Sequence, residues 1–439
     1  MTGQVEQNGP AVVAVVLHGS AFDLLVDMIE AAEGWCRPLV VNGAATAWEP
    51  QEAALLDGLV DHFDASGLGL DEVCAELAAR RVAGLASFRD ETLVWTAAVA
   101  ERLGLPFHSP ATARLLTDKH EQRRALAAAG LPQPRFARFA GPADAARAAA
   151  EVGFPAVAKP LEGSGSRNVF AVEDLPALRT ALASVEVDEG AWVLEERMAG
   201  APHPGAAWLA DYVSVETLAL GDGRYWAVGV TDRLPMFPPL LEGGASTPSL
   251  LPPAAREEVC QTAARALAAL GVETGMSHTE IKLTPSGPRI IEVNGRLGGL
   301  VQQLTRAANG SDLVRLVLEA ALGRAEETQA ADTCLSYAQV SQMPPGARRV
   351  LALADPAVPG AMEGVWRVDV HHTVGAPVDS RIGLAGRVQT VFGTVATAQE
   401  YRATYLRLRQ WAESGNAYDT SDPVGPSAVA TAEGVRGRG

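Results

Sequence analysis

Cysteine is scarce and scattered. Cys36, Cys74, Cys260 and Cys334 are the only four in 439 residues, and no pair has CxxC or Cys/His metal spacing. That argues against a disulfide scaffold and a structural zinc site, and for free thiols in a reducing cytosol. Long apolar runs are missing as well. No stretch approaches the roughly 20 residues of a membrane span. Residues 1–10 lack the basic and apolar segments of a signal peptide, so none is expected. Basic residues are in deficit: 36 Lys and Arg against 52 Asp and Glu leave a formal charge of −16. Such a field repels nucleic acid and anionic membrane, so neither is an expected partner. No internal repeat is visible. The length suits two or three domains with sizeable cores.

What is present centres on two runs. Residues 277–283 and 289–296 each alternate in character, the period-2 mark of a strand, and residues 284–288 between them carry turn chemistry. Pairing the strands symmetrically about Ser286 sets Glu280 opposite Glu292 and His278 opposite Asn294. Directly opposed carboxylates repel. Two of them with an amide oxygen on one face call for a cation, and hard oxygen ligands suit Mg²⁺ completed by a polyphosphate. The plainer reading is a solvent-facing hairpin with incidental acids. Ile290, Ile291 and Val293 argue against it, because they mark buried strand, where unpaired acids are costly.

In chain order, residues 11–17 form an unbroken aliphatic run, the mark of a parallel strand covered on both faces. Further buried runs at 39–41 and 82–85 alternate with helical patterns at 22–32, 71–80 and 92–103. This predicts a doubly wound α/β layer over residues 11–112. His18-Gly19-Ser20 after the first strand is a turn or a ligand loop, but it is not GxGxxG. Asp118 caps a helix ended by Gly130 and Pro132. Lys119 then stands in the first turn, against the helix dipole, which suits an anion partner as well as it suits a solvated surface. Lys159 ends an apolar segment and precedes Gly163-Ser164-Gly165-Ser166, where small residues let bare amides approach phosphate oxygens. The plainer alternative there is a flexible hairpin. Residues 192–198 read as a strand ending in acids, and 211–216 and 225–230 as a hairpin. Residues 234–253 read as a long loop of the kind that forms functional lids, and 254–270 and 312–322 as helices. Residues 335–412 are mostly β, closing with a helix from 398. His371 and His372, facing opposite ways on one strand, are read as structural. The tail after 412 reads as disordered.

These pieces in this order resemble the ATP-grasp superfamily over residues 12–412, and within it the L-amino-acid ligase branch. The carrying motifs are Thr117-Asp118-Lys119, Ala158-Lys159 with the 163–166 loop, Leu194-Glu195-Glu196, His278-Thr279-Glu280-Ile281-Lys282, and Glu292-Val293-Asn294-Gly295-Arg296-Leu297-Gly298-Gly299. The resemblance implies an α/β chain, α+β in its C-terminal part, with a Rossmann-like pre-ATP-grasp domain at 11–112. A central lid domain at 113–205 and a C-terminal ATP-grasp domain at 206–412, with an accessory β-rich part, would follow. It also implies roles. Lys119 and Lys159 would hold ATP phosphates under the lid Gly163, Ser164, Gly165 and Ser166. Glu195, Glu196 and Met198 would form the adenine hinge, mostly through backbone groups and a hydrophobic contact, and Asp211 or Glu216 would bind the ribose. Glu280, Glu292 and Asn294 would ligate Mg²⁺, with Mn²⁺ an alternative and two ions the usual number. Arg296 would steady the transferring phosphoryl group, with His278 near the substrates. The 235–248 loop departs from the family pattern by lacking a histidine.

The implied activity is a cytoplasmic, ADP-forming carboxylate–amine ligase. It would activate an amino-acid carboxylate as an acyl phosphate and couple it to an amine. Its partners would be small molecules, with a homodimer left open. The alternatives are an ATP-grasp carboxylase, a cyclising ligase of specialised metabolism, or a nucleotide-binding regulator without catalysis.

Overall fold

The aliphatic run Ala11–Leu17 is covered on both sides, as its composition predicts. Val13, Val15 and Leu17 enter one core while Val12, Ala14 and Val16 enter another. In this computed structural model, which describes residues 9–17, 24–43, 47–185, 192–238, 240–328 and 330–420, the run is an inner strand of a four-stranded parallel sheet. The strand order is Asp61–Asp64, Cys36–Asn42, Ala11–Leu17, Val82–Ser87. Helices Leu25–Ala32, Pro50–Asp57 and Leu70–Ala79 lie between the strands in sequence, and Asp90–Leu103 follows the last strand. One of the two cores is completed from far along the chain by helix Leu313–Ala321. A Cβ on Gly84 would lie 2.4 Å from the Ala321 carbonyl oxygen, so the strand and that helix touch backbone to backbone. The His18–Ser20 loop lies outside the described residues, as does the tail from residue 421.

The central lobe is a four-stranded antiparallel sheet ordered Phe136–Phe139, Trp192–Glu196, Ala156–Pro160, Phe170–Val172. Its core gathers residues of helices Ala145–Val152 and Leu175–Ala183 with the sheet strands. The third lobe is an eight-stranded antiparallel sheet. Its order is Gly287–Asn294, Thr274–Thr284, Tyr212–Leu220, Tyr225–Arg233, Gly244–Thr247, Leu335–Gln342, Arg387–Val395, Val365–Val370. Helix Pro253–Leu270 buries Val259, Ala263, Ala266, Leu267 and Leu270 against the first strands.

Two expectations are corrected here. The 234–253 segment is not simply a loop: Gly244–Thr247 is a fully buried strand that joins the hairpin sheet to the C-terminal strands. Four small residues are too few to show a period, so the pattern hid it. The tail does not begin at 413. Helix Ala398–Gly415 runs on, and Ala417–Asp419 pairs with Arg349–Ala352.

Candidate nucleotide and metal site

The central hairpin closes more tightly than its sequence suggests. Its strands extend to Thr284 and from Gly287, leaving Pro285-Ser286 as a two-residue turn. That shifts the pairing by one residue near the turn, where Ile281 faces Ile290. A bulge at Ile291 then adds one residue back, so Glu280 does face Glu292 and His278 does face Asn294. The expected juxtaposition therefore holds, through a bulge that no local pattern announces.

Each facing acid has a cation. Lys119 Nζ lies 3.1 Å from Glu292 Oε1 and donates to the Gly163 carbonyl at 2.6 Å, joining the metal hairpin to the glycine loop. Its helix, Lys119–Ala128, starts where Asp118 accepts from the His120 and Glu121 amides, as predicted. Burial alone would raise Glu280. The His278 ring, Arg233 and Lys159 outweigh burial and hold the carboxyl below the usual carboxylate range. Asn294 is buried, and its amide makes no hydrogen bond to another described residue. In the glycine loop, Gly163, Gly165 and Ser166 all take positive φ (118°, 64° and 58°), and the Ser164 hydroxyl reaches Glu91 Oε1 at 3.5 Å.

Lys159 is also buried, with Nζ 3.0 Å from Glu195 Oε2. The Glu195 carboxylate is taken up by protein cations, which leaves its backbone groups for the expected hinge. Arg123 forks onto both its oxygens at 2.9 Å, and Arg123 with Lys159 holds it at about 2 against the upward pull of burial. Glu196 accepts from the Arg135 amide and guanidinium at the surface, and Met198 lies half-buried just past the strand end.

The two ribose candidates separate cleanly. Glu216 is fully buried; one oxygen accepts from the Gly298 amide at 3.1 Å and the other meets His278 Nδ1. Its complete burial, with each oxygen already engaged by a protein donor, sets Glu216 apart from a solvent-reachable ribose and favours Asp211 of the two. Asp211 stays partly exposed beside the hinge: a Cβ on Gly200 would lie 1.7 Å from Asp211 Oδ2. Its Oδ1 accepts from Lys282 Nζ at 2.6 Å.

His278 faces inward between acids. Burial would lower its pKa, but Glu216 and Glu280 raise it to about 9. Nε2 lies 3.7 Å from Glu280 Oε1 and 3.2 Å from an Arg233 Nη2 atom, two cationic groups offset by Glu216, Glu280 and Glu242. Arg296 donates through Nε (3.0 Å) and Nη2 (2.7 Å) to Asp90 Oδ2 of the N-terminal domain. Sequence reasoning missed three residues here. Arg233 is a buried arginine at a strand end, bound to Glu242 and Ser214. Asp90 lies 206 positions from Arg296 and carries no local signal. Arg123 sits four residues after Lys119, and that helical spacing could have found it.

An oxygen-only donor set of two opposed carboxylates and a free amide fits Mg²⁺. Among the described residues no group of three or more His, Cys, Asp or Glu side chains is placed to hold a metal on its own. His371 and His372 form no such group either.

Residues 116–300, the span that builds this site, match the ATP-grasp domain family. Carnosine synthase 1 of Gallus gallus is 34% identical over 257 residues, 54% of this chain and 27% of that protein. The alanine–anticapsin ligase of Bacillus subtilis (strain 168) is 27% identical over 243 residues, 51% of this chain and 50% of that protein. The matched region thus spans half or less of either curated relative. The L-amino acid ligase from Bacillus licheniformis superposes with a TM-score of 0.73 at 21% identity, covering 93% of this chain and 99% of that one, which establishes the shared fold. The chain thus has the ATP-grasp fold and carries an ATP-grasp domain over residues 116–300, and ligases of the L-amino-acid type are among the proteins it resembles.

Proposed function

We propose that this protein is an ADP-forming carboxylate–amine ligase that joins an amino-acid carboxylate to an amine, giving a dipeptide or related amide. The observation that carries the reading is the convergence of Glu280, Glu292 and Asn294 with Lys119, Lys159 and Arg296, drawn from the third lobe, the central lobe and helix Lys119–Ala128. A carboxylate is a poor acyl donor. Transfer of the γ-phosphoryl of ATP onto it breaks the terminal phosphoanhydride bond and leaves ADP and an acyl phosphate. An amine nitrogen then attacks the acyl carbon, phosphate departs, and the amine sheds its extra proton. Such transfer is mainly positioning and charge neutralisation. Glu280, Glu292 and Asn294 would hold Mg²⁺ or Mn²⁺, which when bound offsets the charge of the polyphosphate. Lys119 and Lys159 would orient the phosphates, and Arg296, aimed by Asp90, would face the phosphoryl group in transfer. The glycine loop would exclude water, which otherwise hydrolyses the acyl phosphate. Asp211 is the remaining ribose candidate and Met198 the apolar hinge contact. The substrates would be small molecules and the compartment the cytoplasm; among the described residues no helix is long and apolar enough to cross a membrane.

ADP release over pairwise amino-acid mixtures, with mass spectrometry of products, tests the reading. ADP should require a carboxylate substrate, and full turnover an amine; hydroxylamine in place of the amine should give a hydroxamate. AMP and pyrophosphate as products would refute the assignment. Turnover on bicarbonate alone would favour a carboxylase. ATP binding without ADP formation from any carboxylate–amine pair would favour a regulator.

A further inference from the structure

The strand Gly287–Asn294 is an edge of the eight-stranded sheet, and its outer backbone groups would lack partners there. Helix Lys119–Ala128 supplies them. Gln122 Oε1 accepts from the Val293 amide at 2.9 Å while its Nε2 donates to the Val293 carbonyl at 2.8 Å, as a neighbouring strand residue would. Arg123 donates to the Ile290 and Ile291 carbonyls at 2.8 and 2.6 Å, across the bulge that sets Glu292 opposite Glu280. The same guanidinium forks onto Glu195, which holds Lys159. Lys119, Gln122 and Arg123 stand at i, i+3 and i+4, on one helix face. Gln122 and Arg123 are both buried and engaged with protein groups, so they act on a ligand through Glu292 and Lys159.

We propose that Gln122 and Arg123 are positioning residues that clasp the edge of the metal hairpin, making the aim of Glu292 and the seating of Lys159 one mechanical event. Metal and nucleotide then bind with coupled affinities. The inference rests on the nucleotide and metal reading of the site, not on which amide is made. Arg123→Lys keeps a charge beside Glu195 but loses the fork; Gln122→Ala is the milder variant. Calorimetric titration of each folded variant with ATP in EDTA and with MgATP gives the factor by which Mg²⁺ tightens binding. That factor should fall about tenfold or more in both, the scale of outer-shell losses at metal sites, and stay unchanged in Arg135→Lys, whose Glu196 pair lies at the surface. An unchanged factor in both variants overturns the proposal, even if both affinities drop equally, since that marks a merely structural role. Failure of the unaltered protein to bind ATP under either condition would overturn the nucleotide reading itself, and this inference with it.

Discussion

Replacing His108 with Gln should make the protein more resistant to acid unfolding. His108 is 3% exposed, with Nε2 3.3 Å from the Gly295 carbonyl and Nδ1 without a protein partner. Burial presses its pKa from 6.5 down to about 4, against a smaller upward pull from that carbonyl. Between those values the unfolded chain takes a proton that the folded chain refuses. The neutral ring therefore contributes stability that is complete above pH 6.5 and lost as pH falls toward 4. At about 1.4 kcal/mol per pH unit, the loss approaches about 3 kcal/mol, a large part of ordinary domain stability.

Gln keeps a donor for the Gly295 carbonyl and removes the titration. Denaturant unfolding followed by tryptophan fluorescence at pH 7 and pH 4.5 measures the effect. Wild type should lose about 2–3 kcal/mol more than His108→Gln between the two, whatever the variant costs at pH 7. Parallel losses, differing by less than about 0.5 kcal/mol, would mean the ring is not held neutral and the reasoning fails. The site is a sensitive one. Gly295 stands between Asn294 and Arg296, and a Cβ there would lie 2.7 Å from Leu116 Cδ1 and 2.8 Å from Leu93 Cδ2.

Three further expectations follow from the same contacts. Glu292→Gln removes charge but not shape, so ADP formation should drop by at least about two decades with circular dichroism unchanged; near-normal turnover would dismiss the carboxylate pair. Lys159→Ala should weaken ATP binding far more than Lys282→Ala, because Lys282 is spent on Asp211 at the hinge; equal small effects in titration calorimetry would dismiss the phosphate role. Gly298→Ala would set a methyl 2.4 Å from His278 Nδ1 and 2.8 Å from Glu216 Oε1, so the thermal midpoint should fall by an amount matching about 1–3 kcal/mol of overpacking; an unchanged midpoint would show that the Glu216–His278 pair yields freely.

The elements themselves were largely legible because most carry their own period or caps. The parallel strands, helices Asp90–Leu103 and Pro253–Leu270, and the Asp118 cap all follow from residues a few positions apart. The Glu280–Glu292 pairing was legible by an offsetting of two errors: the turn is shorter than its composition suggests, and the Ile291 bulge restores the lost residue. What escaped was whatever depends on distant chain. Glu195 and Glu216 look in sequence like ligand acids at strand ends or on strand faces. Both are consumed by protein cations or amides, Glu195 by Arg123 at 72 positions' separation and Glu216 by Gly298 at 82. Glu280 keeps oxygen capacity because its nearest protein cation, His278 Nε2, stands 3.7 Å away rather than forking onto it. A carboxylate's residue type and local spacing therefore bring it to a site, but only the count of donors already committed to it separates a ligand from a latch. That count is set by the packing of three lobes, and no window of sequence contains it.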